Sequence, residues 1–152
     1  MKAYAKLNLS LVVGPLLSDE KHEVVTVLQA IDLHDDVTVE PADEFAVEGF
    51  AEDTLVRAVL EALADAAGVE PCWRAQIEKR IPIAAGLGGG SSDAAAALRL
   101  ANVLLAEPLL PDALHEIAAN LGADVPFFLR DGPQLGTGDG TDLAPLDLPT
   151  DY

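Results

Sequence analysis

The chain has 152 residues, half of them hydrophobic, with 26 acidic side chains against 9 Lys and Arg and a formal net charge of −17. That is one domain's worth of chain with enough apolar content to bury a core, which excludes a disordered polymer. The acidic balance argues against a general nucleic-acid or anionic-membrane surface, since both need clustered Lys and Arg.

The N-terminal stretch "MKAYAKLNLSLVVG" superficially resembles a signal peptide, but Lys6, Asn8 and Ser10 interrupt it and no small-residue cleavage site follows. It reads instead as a strand over Ala3–Val13. Ala3, Ala5, Leu7, Leu9 and Leu11 fall on one face, and Tyr4, Lys6, Asn8 and Ser10 on the other. "EVVTVLQAIDL" is a second strand, "DVTVEP" a third and "EFAVEG" a weak fourth. "TLVRAVLEALADAAG" is an amphipathic helix, with Asp53 or Thr54 as its cap and Gly68 as its stop.

"CWRAQIEKRIPI" returns as a strand, with Ile77, Lys79 and Ile81 opposed to Gln76, Glu78 and Arg80. Its Cys72 is the only cysteine, which rules out an intrachain disulfide and a cysteine metal cluster and suits a cytoplasmic protein. A glycine loop and a helix over Ser92–Ala106 come next. "PDALHEIAANLG" is a short helix closed by Gly122, "DVPFFL" begins a turn, and the Gly- and Pro-rich stretch after Asp131 holds one or two short strands. No apolar run approaches the ~20 residues of a membrane helix. Strands, helix, strand, then helices indicate an α+β fold in place of regular βαβ units.

In "IPIAAGLGGGSSDAAAALRL" four glycines, Gly86, Gly88, Gly89 and Gly90, fall within five residues just before a helix. A helix start leaves up to about four backbone N–H groups unpaired and carries partial positive charge. Glycines there allow φ > 0 and close approach of a ligand. Ser91 and Ser92 add hydroxyl donors or, at Ser92, a magnesium ligand; together these make a phosphate cradle. It is not a Walker A loop, because no Lys follows the last glycine. Nor is it a dinucleotide fingerprint, because the sixth position counted from Gly86 is Ser91. On spacing alone, a plain connector ahead of a serine-capped alanine helix is the other reading.

These residues resemble the Pro-x-x-x-Gly-Leu-Gly-Ser-Ser-Ala signature of the GHMP kinases (galactokinase, homoserine kinase, mevalonate kinase, phosphomevalonate kinase). "AKLNLSLVV", "HEVVTVLQAIDLHDDVTVE" and "LGADVPFFL" narrow the resemblance to the 4-diphosphocytidyl-2-C-methyl-D-erythritol kinases, in order over residues 2–148. The resemblance implies a ribosomal protein S5 domain 2-like fold, a mixed sheet with helices packed on one face. It implies ATP, with Mg2+, as phosphoryl donor and a small-molecule alcohol as acceptor. Asp124 matches the catalytic base and Lys6 its partner. Asn8 and His22 match substrate-binding positions, as Asp124 does too. Pro82, Ala84, Ala85, Gly86, Leu87, Gly88, Gly89, Gly90, Ser91 and Ser92 match the nucleotide loop.

Each position also has a plainer reading: Lys6 as a solvated strand-face lysine, Asp124 as a helix N-cap ahead of Pro126, His22 as a surface turn residue. Lys79 and Arg80, just before the loop, either add positive potential near ATP or end a solvated strand. Glu20-Lys21-His22 stands where the family usually has Gly-Tyr-His, and Thr54 where it has Asn. A kinase for another alcohol, such as homoserine or mevalonate, is therefore an alternative, as is a nucleotide-binding domain without turnover. RNA binding, raised by the S5-like fold, is opposed by the acidic balance. The family chain is about twice this length, two lobes by domain size, so the expectation is an N-terminal lobe with the C-terminal domain absent, leaving an apolar surface near the final strand.

Overall fold

The computed structural model describes residues 1–16, 22–50 and 55–148. Glu20, Lys21, the proposed caps Asp53 and Thr54, and Tyr152 lie outside the described residues.

Two long strands come first. β1 (Lys2–Leu16) and β2 (His22–Pro41) pair antiparallel from Lys2↔Asp36 to Leu16↔His22. The separate second and third strands expected from the sequence are one. Nothing between Leu33 and Asp36 breaks it, because His34 and Asp35 bring neither Gly nor Pro. The surplus is absorbed as a bulge, since Tyr4 faces His34 while Ala5 faces Ile31. A second irregularity falls at Leu9, between Asn8↔Leu28 and Ser10↔Val27.

β2 then serves two further partners. β4 (Trp73–Glu78) pairs with Asp36–Pro41, and β5 (Gln134–Thr137) with Thr26–Leu28, both antiparallel. β3 (Ala46–Glu48) joins β4 in parallel and β6 (Asp142–Pro145) closes a hairpin with β5, so the sheet is mixed. β4 is shorter than expected, ending at Glu78 before Pro82.

The helices explain which sheet face is dry. α1 (Leu55–Ala67) buries Val56, Val59, Leu60, Leu63 and Ala64, the i, i+3, i+4, i+7, i+8 stripe of an amphipathic helix. It stops as read, with Gly68 at φ 67 and Val69 N–H donating to the Ala64 carbonyl, a Schellman ending. α2 (Gly89–Asn102) begins three residues earlier than the predicted Ser92 and ends before the predicted Ala106. Its alanines, Ala94 to Ala97, are all buried, because small side chains let it lie close to both α1 and the sheet. α3 (Pro111–Leu121), with Pro at its first turn, leads to a 3-10 turn (Pro126–Leu129).

One core joins Ala3, Val37, Trp73, Ala75 and Ile77 from the sheet to all three helices, while Arg74, Gln76 and Glu78 face outward. The result is the expected α+β arrangement, helices on one face of a mixed sheet.

β1 departs from its predicted faces. Ala3 and Ala5 are buried as expected, but Leu7, Leu9 and Leu11 are exposed and Lys6 is buried. Strict alternation separates two faces but does not supply a layer to cover either one, and past Lys6 the β1–β2 ribbon runs beyond the helices. Val12, Val13, Leu16 and Val25 are exposed there too. Among the described residues the β1–β2 ribbon thus carries an exposed apolar surface, while β6 exposes no large hydrophobic side chain.

Candidate active site

Lys6 lies on β1 where the loop ahead of α2 folds across the strand. Its backbone N–H donates to the Leu87 carbonyl at 2.9 Å, which ties strand to loop. Its side chain is 8% exposed, so the solvated-lysine reading fails. Burying an ammonium demands partners. Lys6 Nζ donates to Asn8 Oδ1 at 2.6 Å and faces Asp124 Oδ2 at 3.4 Å. Asn8 in turn donates to Thr26 Oγ1 at 2.6 Å, and the Thr26 hydroxyl donates to the Ser10 carbonyl at 2.9 Å. The amine is thus aimed by a chain of hydrogen bonds across β1 and β2. Asn8 was legible as the same-face neighbour of Lys6. Thr26 was not, since a β-branched residue in a strand signals only strand.

Asp124 sits between Gly122 and the 3-10 turn. No side chain caps that turn, so Asp124 is not an N-cap; its carboxylate is 42% exposed and open to a ligand beside Lys6.

The loop forms a groove of about 300 Å³. Pro82, Ala84, Ala85, Gly86, Leu87, Gly88, Gly89, Gly90 and Ser91, the stretch expected to hold nucleotide, all line it, together with Phe50 and Lys79. Gly88 caps α2 in the left-handed region, φ 69, and no side chain caps the helix start. The N–H groups of its first turn are therefore left for a ligand. A Cβ at Gly88 would sit 3.0 Å from both Lys6 Cγ and Phe128 Cζ, so the lysine stem and the loop backbone are in direct contact. The groove and the Lys6–Asp124 pair are neighbours.

Two predicted residues are not brought here. Ser92 is 2% exposed and lines a different cavity, because the earlier helix start carries it round to the inner face. His22 is exposed, its ring at 3.1 Å from the Gly14 carbonyl. It lies eight residues along β2 from Ala30, the partner of Lys6, or about 26 Å of strand.

Sequence reading missed a buried charge cluster beneath the loop. Lys79 Nζ donates to Asp35 Oδ2 at 2.6 Å and to Asp93 Oδ2 at 2.7 Å, and both carboxylates are fully buried. Asp35 Oδ1 also accepts the backbone N–H groups of Arg80 and Ile81, pinning the segment that leaves β4 for the loop. One ammonium between two carboxylates leaves one negative charge uncompensated. Burial, reinforced by the charge of Asp35 and opposed by Lys79, pushes Asp93 up to about 7. Burial works the same way on Asp35 but is outweighed by the Arg80 N–H, Lys79 and the Ile81 N–H, so Asp35 is lowered. Burial tends to lower Lys79, but the two carboxylates raise it above its ordinary value.

The linkage has a definite sign. Asp93 holds its proton more tightly folded than unfolded, so it lowers stability as pH rises from about 4 to about 7. Asp35 acts oppositely and only at the acid end. Asp93→Asn is expected to be more stable than wild type at about pH 8 by on the order of 2 kcal/mol, with the difference shrinking toward about pH 4. Urea unfolding across this range checks it; a constant difference would mean that Asp93 is ionised throughout.

Comparison with known proteins identifies the family. The family described as GHMP kinases N terminal domain matches residues 54–132. The 4-diphosphocytidyl-2-C-methyl-D-erythritol kinase of Salinispora tropica is 45% identical over 151 residues, covering 93% of this chain and 48% of that protein. A crystal structure of 4-(cytidine 5'-diphospho)-2C-methyl-D-erythritol kinase superimposes with a TM-score of 0.86 at 38% identity, over 98% of this chain and 55% of that one. The Methanococcus jannaschii mevalonate kinase shares the fold, with a TM-score of 0.71 at 12% identity over 97% of this chain and 55% of that one. The chain spans about half the length of the curated relatives it matches. With a family match over more than half of its length and relatives about 45% identical over most of it, the chain belongs to the GHMP kinases.

Proposed function

We propose that the chain supplies the nucleotide-binding and hydroxyl-activating half of a kinase that phosphorylates a hydroxyl of 4-diphosphocytidyl-2-C-methyl-D-erythritol. The observation that carries this reading is the Lys6–Asp124 pair, 3.4 Å apart, beside an uncapped helix start lined by glycine. The substrate is the one for which the similar kinases are named.

ATP brings the phosphoryl group to be transferred. The residues present fit its phosphates, since the first turn of α2 offers main-chain donors and Gly86 and Gly90 leave open space where a side chain would stand. Among the described residues no group of three His, Cys, Asp or Glu could hold a metal ion. Magnesium would then be held chiefly by phosphate oxygens, with the Ser91 hydroxyl lining the same groove.

Asp124 accepts the proton of the acceptor hydroxyl as its oxygen bonds to phosphorus, with ADP as the leaving group. Lys6 orients Asp124 and the hydroxyl, and its fixed ammonium offsets charge on the transferred group. Asn8, held by Thr26, keeps the amine from collapsing onto Asp124 alone. Soluble cytoplasmic residence completes the reading.

Gly90 separates folding from binding. Nothing lies within 4 Å of where its Cβ would be, and it stands in the first turn of α2. Gly90→Ala is expected to raise stability by up to about 1 kcal/mol through helix propensity. The same methyl enters the space assigned to phosphate and should weaken nucleotide binding about tenfold. Thermal unfolding and nucleotide titration of one sample check both; higher stability with unchanged affinity would remove phosphate from this turn. For the substrate, a protein of the relatives' full length is offered the cytidine diphosphate alcohol, homoserine and mevalonate, and equal or faster turnover of either competitor would end the assignment.

A further inference from the structure

We propose a second anion site, for a small phosphate-bearing molecule, in the cavity of about 240 Å³ between the start of β1, α2 and the Pro126–Leu129 turn. Lys2, Tyr4, Ser92, Arg99, Phe128 and Arg130 line it.

The argument is electrostatic. With 26 acidic residues against 9 basic ones, a cation in this chain should readily find a carboxylate. Five do: Lys6, Arg57, Arg74, Lys79 and Arg80 each have one within 4.0 Å. Among the described residues, the three basic side chains without such a partner are Lys2, Arg99 and Arg130, and all three border this one cavity. They come from β1, α2 and the segment after the 3-10 turn, so no local sequence run put them together. Held near one another they repel, and a bound polyanion relieves that repulsion.

The lining carries more than charge. Arg130 donates one N–H to the Leu143 carbonyl at 3.0 Å, which anchors the side chain, and the rest of its donor fork has no partner among the described residues. The buried Ser92 offers a hydroxyl from the wall, and Phe127 packs edge-on against Phe128 at 4.9 Å to give an apolar side. Asp131 is the single carboxylate in the lining, so the basic residues outnumber it. Two guanidinium forks, an ammonium and a hydroxyl suit the several oxygens of a phosphate or diphosphate better than one planar carboxylate. The cavity is distinct from the glycine groove and shares no lining residue with it; Ser91 faces the groove and its neighbour Ser92 the cavity.

The test titrates the chain with inorganic diphosphate, and separately with inorganic phosphate, while a saturating non-hydrolysable ATP analogue occupies the groove. One saturable event is expected for diphosphate, weakened at least about tenfold by Arg99→Ala with Arg130→Ala and partly restored by Lys at both positions. Arg99 and Arg130 are exposed, so their replacement leaves the fold intact. Gly90→Ala should not change this event. Absence of saturable binding, or binding that the double alanine variant leaves unchanged, overturns the proposal. A site lost in Gly90→Ala but kept in the double variant also overturns it, because the groove would then be the binder. Failure here leaves the kinase reading untouched, since no residue assigned to catalysis is involved.

Discussion

Asp124→Asn is expected to lower kcat by about 10²- to 10⁴-fold, the usual contribution of a positioned general base, while nucleotide affinity stays nearly unchanged. Asparagine keeps the size of the side chain and an oxygen toward Lys6, but it cannot accept the hydroxyl proton. Folding should survive, because the Asp124 carboxylate is 42% exposed and caps no helix. Nucleotide binding should survive because Asp124 does not line the groove. Single-turnover kinetics beside a nucleotide titration, in a protein of the relatives' full length, give both numbers. Loss of nucleotide affinity with the loss of rate would make Asp124 a structural residue and leave the base unidentified.

Gly88→Val should be the most damaging single change in the loop. Two separate penalties meet there. The backbone at φ 69 is a region that β-branched side chains avoid, at a cost of about 1–3 kcal/mol. The new Cβ would also stand 3.0 Å from Lys6 Cγ and Phe128 Cζ before the valine methyls are counted. The lysine stem must move, and with it the amine that faces Asp124. Nucleotide affinity and turnover are therefore expected to fall together, each by at least about tenfold. Lys6→Met with Gly88→Val in a double-mutant cycle separates the causes. If the steric push on Lys6 is responsible for the rate loss, the two effects will be far from additive. Wild-type affinity in Gly88→Val would contradict the cradle.

What the sequence disclosed follows from how local each signal was. The glycine loop is contiguous, so its residues could be named together, and the structure gathers nearly all of them on one groove. Lys6 and Asn8 are two apart on a strand, and that period placed them side by side. Ser92 was misplaced for a nearby reason. Glycine is a poor helix former, so the helix was expected to start after Gly90, yet α2 starts at Gly89 and turns Ser92 inward. The Lys79 cluster was beyond reach because Asp35 is 44 residues from Lys79 and becomes its partner only through the β2–β4 pairing. The fate of Leu7, Leu9 and Leu11 was hidden too, since the pattern of a strand says nothing of where the helical layer above it ends.

The hydrogen bond from the Lys6 N–H to the Leu87 carbonyl has a mechanical consequence. It ties the backbone of the glycine loop to the root of the Lys6 side chain, so a displacement of one drags the other along. Alignment is thus insured at the level of the main chain, beneath any correction that side chains provide.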